Sequence, residues 1–371
     1  MHTAQDWLSK IRQLPLPEKV RIMNVCGGHE RSISMAGLRQ ALPSQIELIP
    51  GPGCPVCVCP EQDIYQAIQL ALHEQIILVS FGDMLRVPVN VTKSGIRSLE
   101  QAKAAGADVR PIASPLEAVQ IARSQPDKPV VFFAAGFETT FAPVAGMLAE
   151  GIPDNLLLLV SGRLTWPAVA LLLESEQPGF DALIAPGHVA TVMGSAEWGF
   201  VAEQHQIPTA IAGFSPDSLL AATYSVLRQL LEQRPFLDNC YPQVVKTAGN
   251  QAARRLLDSC LEIIDAPWRG IGIIPNSGYE LKPEFAAHNA RLKFPEATRN
   301  AQDRAGTMPP GCDCARVVMG KIKPLECRIY GLACTPRTPV GPCMVSDEGA
   351  CRIWWASGLR KPATESSLIE A

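Results

Sequence analysis

Thiols are the side chains in this sequence with the most chemistry to offer. The chain carries 12 cysteines in 371 residues, unevenly spread: four lie between Cys26 and Cys59, six between Cys312 and Cys351, and Cys240 and Cys260 stand alone. In a reducing compartment, clustered cysteines signal metal binding or redox chemistry rather than structural disulfides. The two isolated ones read as buried small hydrophobes. Cys54-Pro-Val-Cys57 sits in a Gly-Pro-rich turn between a predicted strand and a predicted helix. Two sulfurs so spaced come within bonding reach, and a helix N-terminus favours thiolate over thiol. Such a pair suits thiol–disulfide exchange or soft-metal ligation. Cys26 ends the first predicted strand and runs into Gly27, Gly28, His29 and Glu30, which puts a ligand or nucleophile on the same sheet edge. His29 reads as a ligand, a proton donor or a polar turn residue. Cys59 stands just beyond the pair, where it can point into the helix start.

The second group, Cys312, Cys314, Cys327, Cys334, Cys343 and Cys351, ends a region rich in Pro, Gly and Cys with no clear period. Hydrophobic packing alone holds such a stretch poorly, and a metal cluster can supply the missing constraint. Zinc prefers two well-formed Cys-x-x-Cys knuckles, which are absent here. Four thiolates from a loop-rich region are what a cubane iron–sulfur cluster requires. Spacing alone leaves iron–sulfur, zinc and a purely structural role open.

The elements that must position these groups alternate. Predicted strands fall at Arg21–Cys26, Ile46–Ile49, Ile76–Phe81, Val109–Ala113, Val130–Ala135, Leu156–Val160, Ala182–Ala185 and Thr209–Ala212. Predicted helices include Glu61–Leu72, Leu99–Ala105, Pro115–Arg123, Pro167–Glu174 and Pro216–Leu231. Apolar strands separated by amphipathic helices predict an α/β protein with parallel sheets covered on both faces. We expect two doubly wound parallel-sheet domains facing a central cleft, 20–125 and 126–233, split at the turn-like Ser124–Pro129. A loop- and helix-rich iron–sulfur domain then takes 234–371 together with 1–19. In each α/β half a strand runs into a glycine turn bearing polar residues, and ligands bind outside such carboxyl ends. Glu138, in Gly136-Phe-Glu-Thr-Thr140, faces the cleft in this reading and binds a polar or anionic group, with Thr139 or Thr140 as the simpler helix cap. Asp83 and His188 occupy equivalent strand ends and read as residues orienting ligands or passing protons. Trp166, Met193, Trp198 and Phe200 read as packing, and Trp354 and Trp355 as a shield for the cluster or a contact with another domain.

Composition narrows the function. A net charge of −3 and pI near 6.1 disfavour a nucleic-acid partner. No apolar run approaches the ~18 residues of a membrane helix, and the N-terminus, with Trp7, Leu8, Ile11 and Leu14, reads as amphipathic rather than as a signal peptide. A cytoplasmic protein is expected. No Gly-x-Gly-x-x-Gly or phosphate-binding lysine loop supports a nucleotide site.

Several motifs occurring in order carry a resemblance. Cys26-Gly-Gly-His-Glu30, Gly51-Pro-Gly-Cys-Pro-Val-Cys57, Phe81-Gly-Asp-Met84 with Arg86-Val-Pro88, Gly136-Phe-Glu-Thr-Thr140, Pro186-Gly-His188 and the segment from Cys343 to Cys351 are similar to the signatures of the HypD family, over nearly the whole chain. Two positions depart from it: Cys59 stands where a hydroxyl residue is common, and Val89 where glycine is common. An extra thiol beside the pair would allow competing disulfides. The resemblance implies a [4Fe–4S] cluster on Cys314, Cys327, Cys334 and Cys351, leaving Cys312 and Cys343 as spare thiols. It implies iron held between Cys26 and a cysteine of the small chaperone HypC, for the Fe(CN)2CO moiety of nickel–iron hydrogenase. HypE, carrying a thiocyanate made from carbamoyl phosphate by HypF, delivers cyanide to that iron, the group Glu138 would bind. The hydrogenase large subunit is then served indirectly. Cys54 and Cys57 would hold the iron or supply electrons, as in ferredoxin:thioredoxin reductase, where a cluster feeds a disulfide. The chain is thus expected to be an assembly scaffold with thiol-redox activity. The alternatives are an iron–sulfur disulfide reductase without iron at Cys26, and a structural zinc protein.

Overall fold

Apolar β-rich runs become strands where the sequence places them. The computed structural model describes residues 2–91, 95–175, 178–302 and 308–361. Its strands are β1 (Val20–Asn24), β2 (Ile46–Pro50), β3 (Ile77–Phe81), β4 (Val109–Ile112), β5 (Val130–Gly136), β6 (Leu156–Arg163), β7 (Ala182–Pro186), β8 (Thr209–Ala212), β9 (Leu237–Asn239), β10 (Leu261–Trp268) and β11 (Gly272–Leu281). Every residue of β5 and β6 is buried, as a parallel sheet covered on both faces demands. The five helices expected from amphipathic spacing also form, at Glu61–His73, Leu99–Ala104, Pro115–Ser124, Thr165–Leu173 and Pro216–Leu231.

Two mostly parallel sheets result, so the expected α/β class with two wound sheets holds. The first runs β2-β1-β7-β8-β9 and the second β10-β11-β6-β5-β3-β4. They are not laid down one after the other. The chain starts the first sheet, leaves to build β3 to β6 of the second, and returns for β7 to β9. The expected boundary at 125/126 therefore falls inside one sheet, where Ile77 of β3 pairs with Val130 of β5. Ser124–Pro129 is an ordinary helix-to-strand turn, and local turn chemistry carries no information about which strands pair across it. The segment after 234 is not separate either. It adds β9 to the first sheet, while the hairpin β10–β11 joins the second through Gly278 and Tyr279 against Arg163 and Gly162. At the N-terminus, the helix Ala4–Arg12 puts Leu8 and Ile11 on the first sheet's core with Leu219 and Val226, not on the cysteine-rich segment.

Strand alternation sorts the interior into layers. In the second sheet Ile77, Val79, Phe132 and Leu158 pack with Phe141 and Leu257. Leu78, Val131, Phe133 and Leu159 face the opposite way and form one core with Cys54, Cys57, Cys314, Cys343 and Cys351. The thiols thus lie on a sheet face that nothing in their local sequence names. Trp198 is fully buried and Trp166 packs edge-on to Phe200, in the packing role read for them.

Candidate functional site

Neighbouring parallel strands end side by side, and that brings the first two thiol turns together. Asn24 and Pro50 are register partners at the ends of β1 and β2. Cys26 then occupies the N-cap position of the helix Gly27–Met35, and Cys54 that of the one-turn helix Pro55–Val58. The Gly51 amide donates to the Asn24 carbonyl at 2.8 Å, and the Gly27 amide to the Gly53 carbonyl at 3.1 Å. Contact is so close that a Cβ at Gly53 would overlap the Val25 carbonyl and stand 2.7 Å from Cys26 Cα. Cys54 and Cys57 are joined as a disulfide, with Cα atoms 5.2 Å apart. Cys26 is a free, half-buried thiol. A cavity of about 10 Å³, room for roughly one water, is lined by Asn24, Cys26, Gly51, Cys54, Cys343 and Glu348.

Electrostatics hold Cys26 as a thiol. Burial and the Glu348 carboxylate push it up to about 12, against the easing effect of the His29 and Gly28 amides. Glu348 is itself raised to about 7, by burial of its carboxyl and by Asp83. Asp83 accepts hydrogen bonds from the Ser346 hydroxyl at 3.0 Å and the Asp347 amide at 3.2 Å, so it fixes the loop that carries Glu348. A wider cleft of about 740 Å³ opens beside this, at the carboxyl ends of β3, β4 and β5. Its walls include Pro55 and Val56 of the disulfide helix, Asp83, Thr140 and Glu348.

The remaining sequence candidates separate. His29 is fully buried, with Nε2 3.0 Å from the Ala212 carbonyl, and burial lowers it to about 4, so it is neutral and turned toward β8. His188 stacks on Phe214 at 3.8 Å, and His29 packs on the same ring at 4.9 Å. Neither histidine lines the Cys26 cavity. Glu138 does not line the cleft: the amide and hydroxyl of Thr165 donate to its two oxygens at 2.6 and 2.7 Å, and burial raises it to about 7. It ties the turn after β5 to the start of the helix Thr165–Leu173, and Thr140 takes the cleft position instead. Cys59 is buried, 3.3 Å from the Ser161 hydroxyl, and pushed up to about 12 by burial and Asp63. Cys260 is buried as a small hydrophobe, accompanied by its hydrogen bond to the Ala145 carbonyl, while Cys240 is half-buried.

All six C-terminal thiols gather in one knot, five of them buried. A Cβ at Gly341 would stand 2.5 Å from the sulfurs of both Cys312 and Cys314, so glycine leaves them room. The Cys351 amide donates to Cys343 Sγ at 3.3 Å and the Val340 amide to Cys334 Sγ at 3.4 Å. Hydrogen bonds from Cys314 and Cys351 hold Cys343 down at about 5, while the bonds of Cys351 to Cys314 and Cys343 raise Cys351. Cys312 is raised by its bond to Cys314, while Cys334, at about 11, and Cys327 are raised by burial. Position does not divide the knot into four ligands and two spares, since Cys343 is bonded to both Cys314 and Cys351. Among the described residues, no three of His, Cys, Asp and Glu converge on a single-ion site. The knot offers a multi-sulfur donor set suited to soft metals.

Disulfide and knot adjoin. The helix Pro55–Val58 packs on Cys314–Val318 and on Pro342–Met344. Glu30 completes the join. It accepts from Asn24 Nδ2 at 2.9 Å, from Arg39 at 2.7 Å and from Trp354 Nε1 at 2.6 Å, tying the helix Ala350–Ala356 to the end of β1. Trp354 is thus a contact with the first sheet. Sequence reasoning passed over Glu30, although it closes the Cys-Gly-Gly-His-Glu run, and over Glu348, inside the Cys343–Cys351 motif. Asn24 gave no signal beyond its place before Cys26.

Comparison with known proteins agrees over the same span. Residues 2–358 match the family model HypD, described as the hydrogenase formation hypA family. The chain is 38% identical over 367 residues to a hydrogenase maturation factor HypD of Rhizobium leguminosarum bv. viciae, covering 96% of this chain and 93% of that one. It is 39% identical over 340 residues to the factor of that name in Escherichia coli K12, covering 91% and 88%. The Rhodobacter capsulatus factor is 38% identical over 349 residues, covering 93% and 91%.

Proposed function

The chain belongs to the HypD family of hydrogenase maturation factors, and we propose that it builds the Fe(CN)2CO unit of nickel–iron hydrogenase on the thiols described above. Iron is the cargo. Cys26 takes it on one side and a cysteine of a HypC-type chaperone on the other. A thiol held up at about 12 needs a cation to become thiolate, and iron supplies one. A HypE-type donor presents its thiocyanate at the cleft beside Pro55 and Val56. When reduced, one thiolate of the Cys54/Cys57 pair attacks the thiocyanate sulfur, forming a mixed disulfide and releasing cyanide with the bonding pair. The second thiolate displaces the carrier's sulfur and closes the Cys54–Cys57 disulfide. The dithiol has then lost two electrons. The Cys54–Cys57 disulfide is the form such a step would leave behind.

Reopening it takes two electrons, delivered one at a time by an external one-electron donor, and two protons from solvent. The knot's donor set fits a resident [4Fe–4S] cluster: soft thiols, mostly buried, with backbone amides aimed at sulfur. The family pattern favours Cys314, Cys327, Cys334 and Cys351 as ligands, with Cys343 between them and the disulfide. Such a cluster, when bound, accepts and passes on electrons singly. The observation that carries the proposal is the cavity shared by Cys26, Cys54 and Cys343, where the iron thiol, the redox pair and the knot meet.

The same adjacency suits a cluster-fed disulfide reductase with no iron at Cys26. Infrared spectra of the protein purified with its small partner separate the two. Cyanide and carbonyl stretches that vanish in Cys26→Ala support assembly. A featureless window with iron–sulfur absorption supports the reductase, and zinc alone defeats both.

A further inference from the structure

Arg269 lies where the disulfide helix meets the cysteine knot. Its amide donates to the Val58 carbonyl at 3.0 Å, the last residue of the helix carrying Cys57. Gly270, at φ +71°, packs so closely on the helix bearing Cys314 that a Cβ there would stand 3.0 Å from Ala315. The backbone thus places one arginine between two thiol sites. Its guanidinium is only 1% exposed. Nη2 donates to the Pro88 carbonyl at 2.7 Å and to Glu61 at 3.2 Å, and Nε and Nη1 are buried without a partner among the described residues. A buried cation with idle donors is costly unless more negative charge comes to it. The short helix whose last carbonyl it holds packs on Cys314–Val318 and on Pro342–Met344, so the arginine's main chain stands against the knot.

We propose that Arg269 is a positioning residue whose buried charge raises the reduction potential of the cluster held by the C-terminal thiols. This rests on the cluster reading given above. Adding an electron makes a thiolate-bound cluster more negative, so a fixed cation in low dielectric favours the reduced form. Glu61 offsets part of that charge and tempers the effect.

The test is a redox titration of the anaerobically reconstituted full-length protein, followed by electron paramagnetic resonance of the reduced cluster. Arg269→Gln shifts the reduction equilibrium at least tenfold toward the oxidised form, ~59 mV for a one-electron couple. Glu61→Gln shifts it the opposite way, and Arg269→Lys stays near the wild type. A purely structural arginine would lower cluster content without moving the potential of what remains. An Arg269→Gln titration that overlays the wild type overturns the inference, as does a downward shift in Glu61→Gln. Should Arg269→Gln fail to hold a cluster, Glu61→Gln decides: an upward shift supports the inference, and an unchanged potential defeats it. Iron and sulfide analysis comes first. A wild type without iron and sulfide sinks the cluster reading and this inference with it, whereas a loaded cluster with unmoved potentials sinks only the role of Arg269.

Discussion

Gly53→Ala is expected to separate the two thiol turns, because the site depends on backbone meeting backbone. The added methyl would overlap the Val25 carbonyl and stand 2.7 Å from Cys26 Cα, where ordinary contact begins at 3.4 Å. No rotamer relieves this, since both obstacles are main chain. The loops must part, and the 3.1 Å bond from the Gly27 amide to the Gly53 carbonyl breaks. A lost hydrogen bond that strands a buried partner costs ~1–3 kcal/mol, and forced overlap in a packed interior adds ~1–3 kcal/mol. We expect a loss of about 2–6 kcal/mol in urea denaturation. Gly82→Ala is the matched control: nothing lies within 4 Å of its added methyl, so its effect stays within ~1 kcal/mol. If Gly53→Ala folds, it should still form the Cys54–Cys57 disulfide, which is local, but lose the cyanide and carbonyl bands that need Cys26 beside it. A Gly53→Ala protein with wild-type stability and full infrared bands would refute the reasoning.

Two further outcomes follow from buried carboxylates. Trp354→Phe removes a 2.6 Å bond into Glu30 and should lower stability by about 2–3 kcal/mol, the scale of a hydrogen bond to a charged group plus some lost volume; an unchanged urea midpoint would show that Glu30 does not hold the C-terminal helix. Glu138 is raised from 4.5 to about 7, so folding favours its protonated form. Its share of stability is full below pH ~4.5 and is lost as pH rises toward 7, about 3 kcal/mol for a shift of ~2.5 units. Glu138→Gln should flatten that decline between pH 5 and 8, and parallel pH profiles for variant and wild type would count against it.

Legibility tracked the range of the physical signal. Strands such as Val130–Gly136 and Leu156–Arg163 announce themselves by unbroken apolar runs, because each is buried on both faces. The thiol turns were readable for a similar reason: glycine and proline at a strand end mark a local backbone need, and Gly53 meets it. Pairing across the chain left no such trace. Nothing near Ser124–Pro129 tells that β3 and β5 are neighbours, so two sequential domains were expected where two interleaved sheets form. Glu138 was misplaced in the same way. Its strand-end setting was right, but its partner, Thr165, lies 27 residues on, at the next helix start.

Interleaving explains why the site is compact despite thiols nearly 300 residues apart. β1 and β2 bring Cys26 and Cys54 to one edge because they are register neighbours. Besides apolar packing, long-range polar ties hold the knot at that edge, from Trp354 to Glu30, from Ser346 and Asp347 to Asp83, and from Arg269 to Val58 and Pro88. Each tie joins the segment after 266 to residues before 90, and each is made by a polar group that is unremarkable within its own stretch of sequence. A cysteine segment without regular period is therefore not loosely attached. It is pinned around the disulfide, a fixed geometry that the proposed relay would require and that a tethered separate domain would not provide.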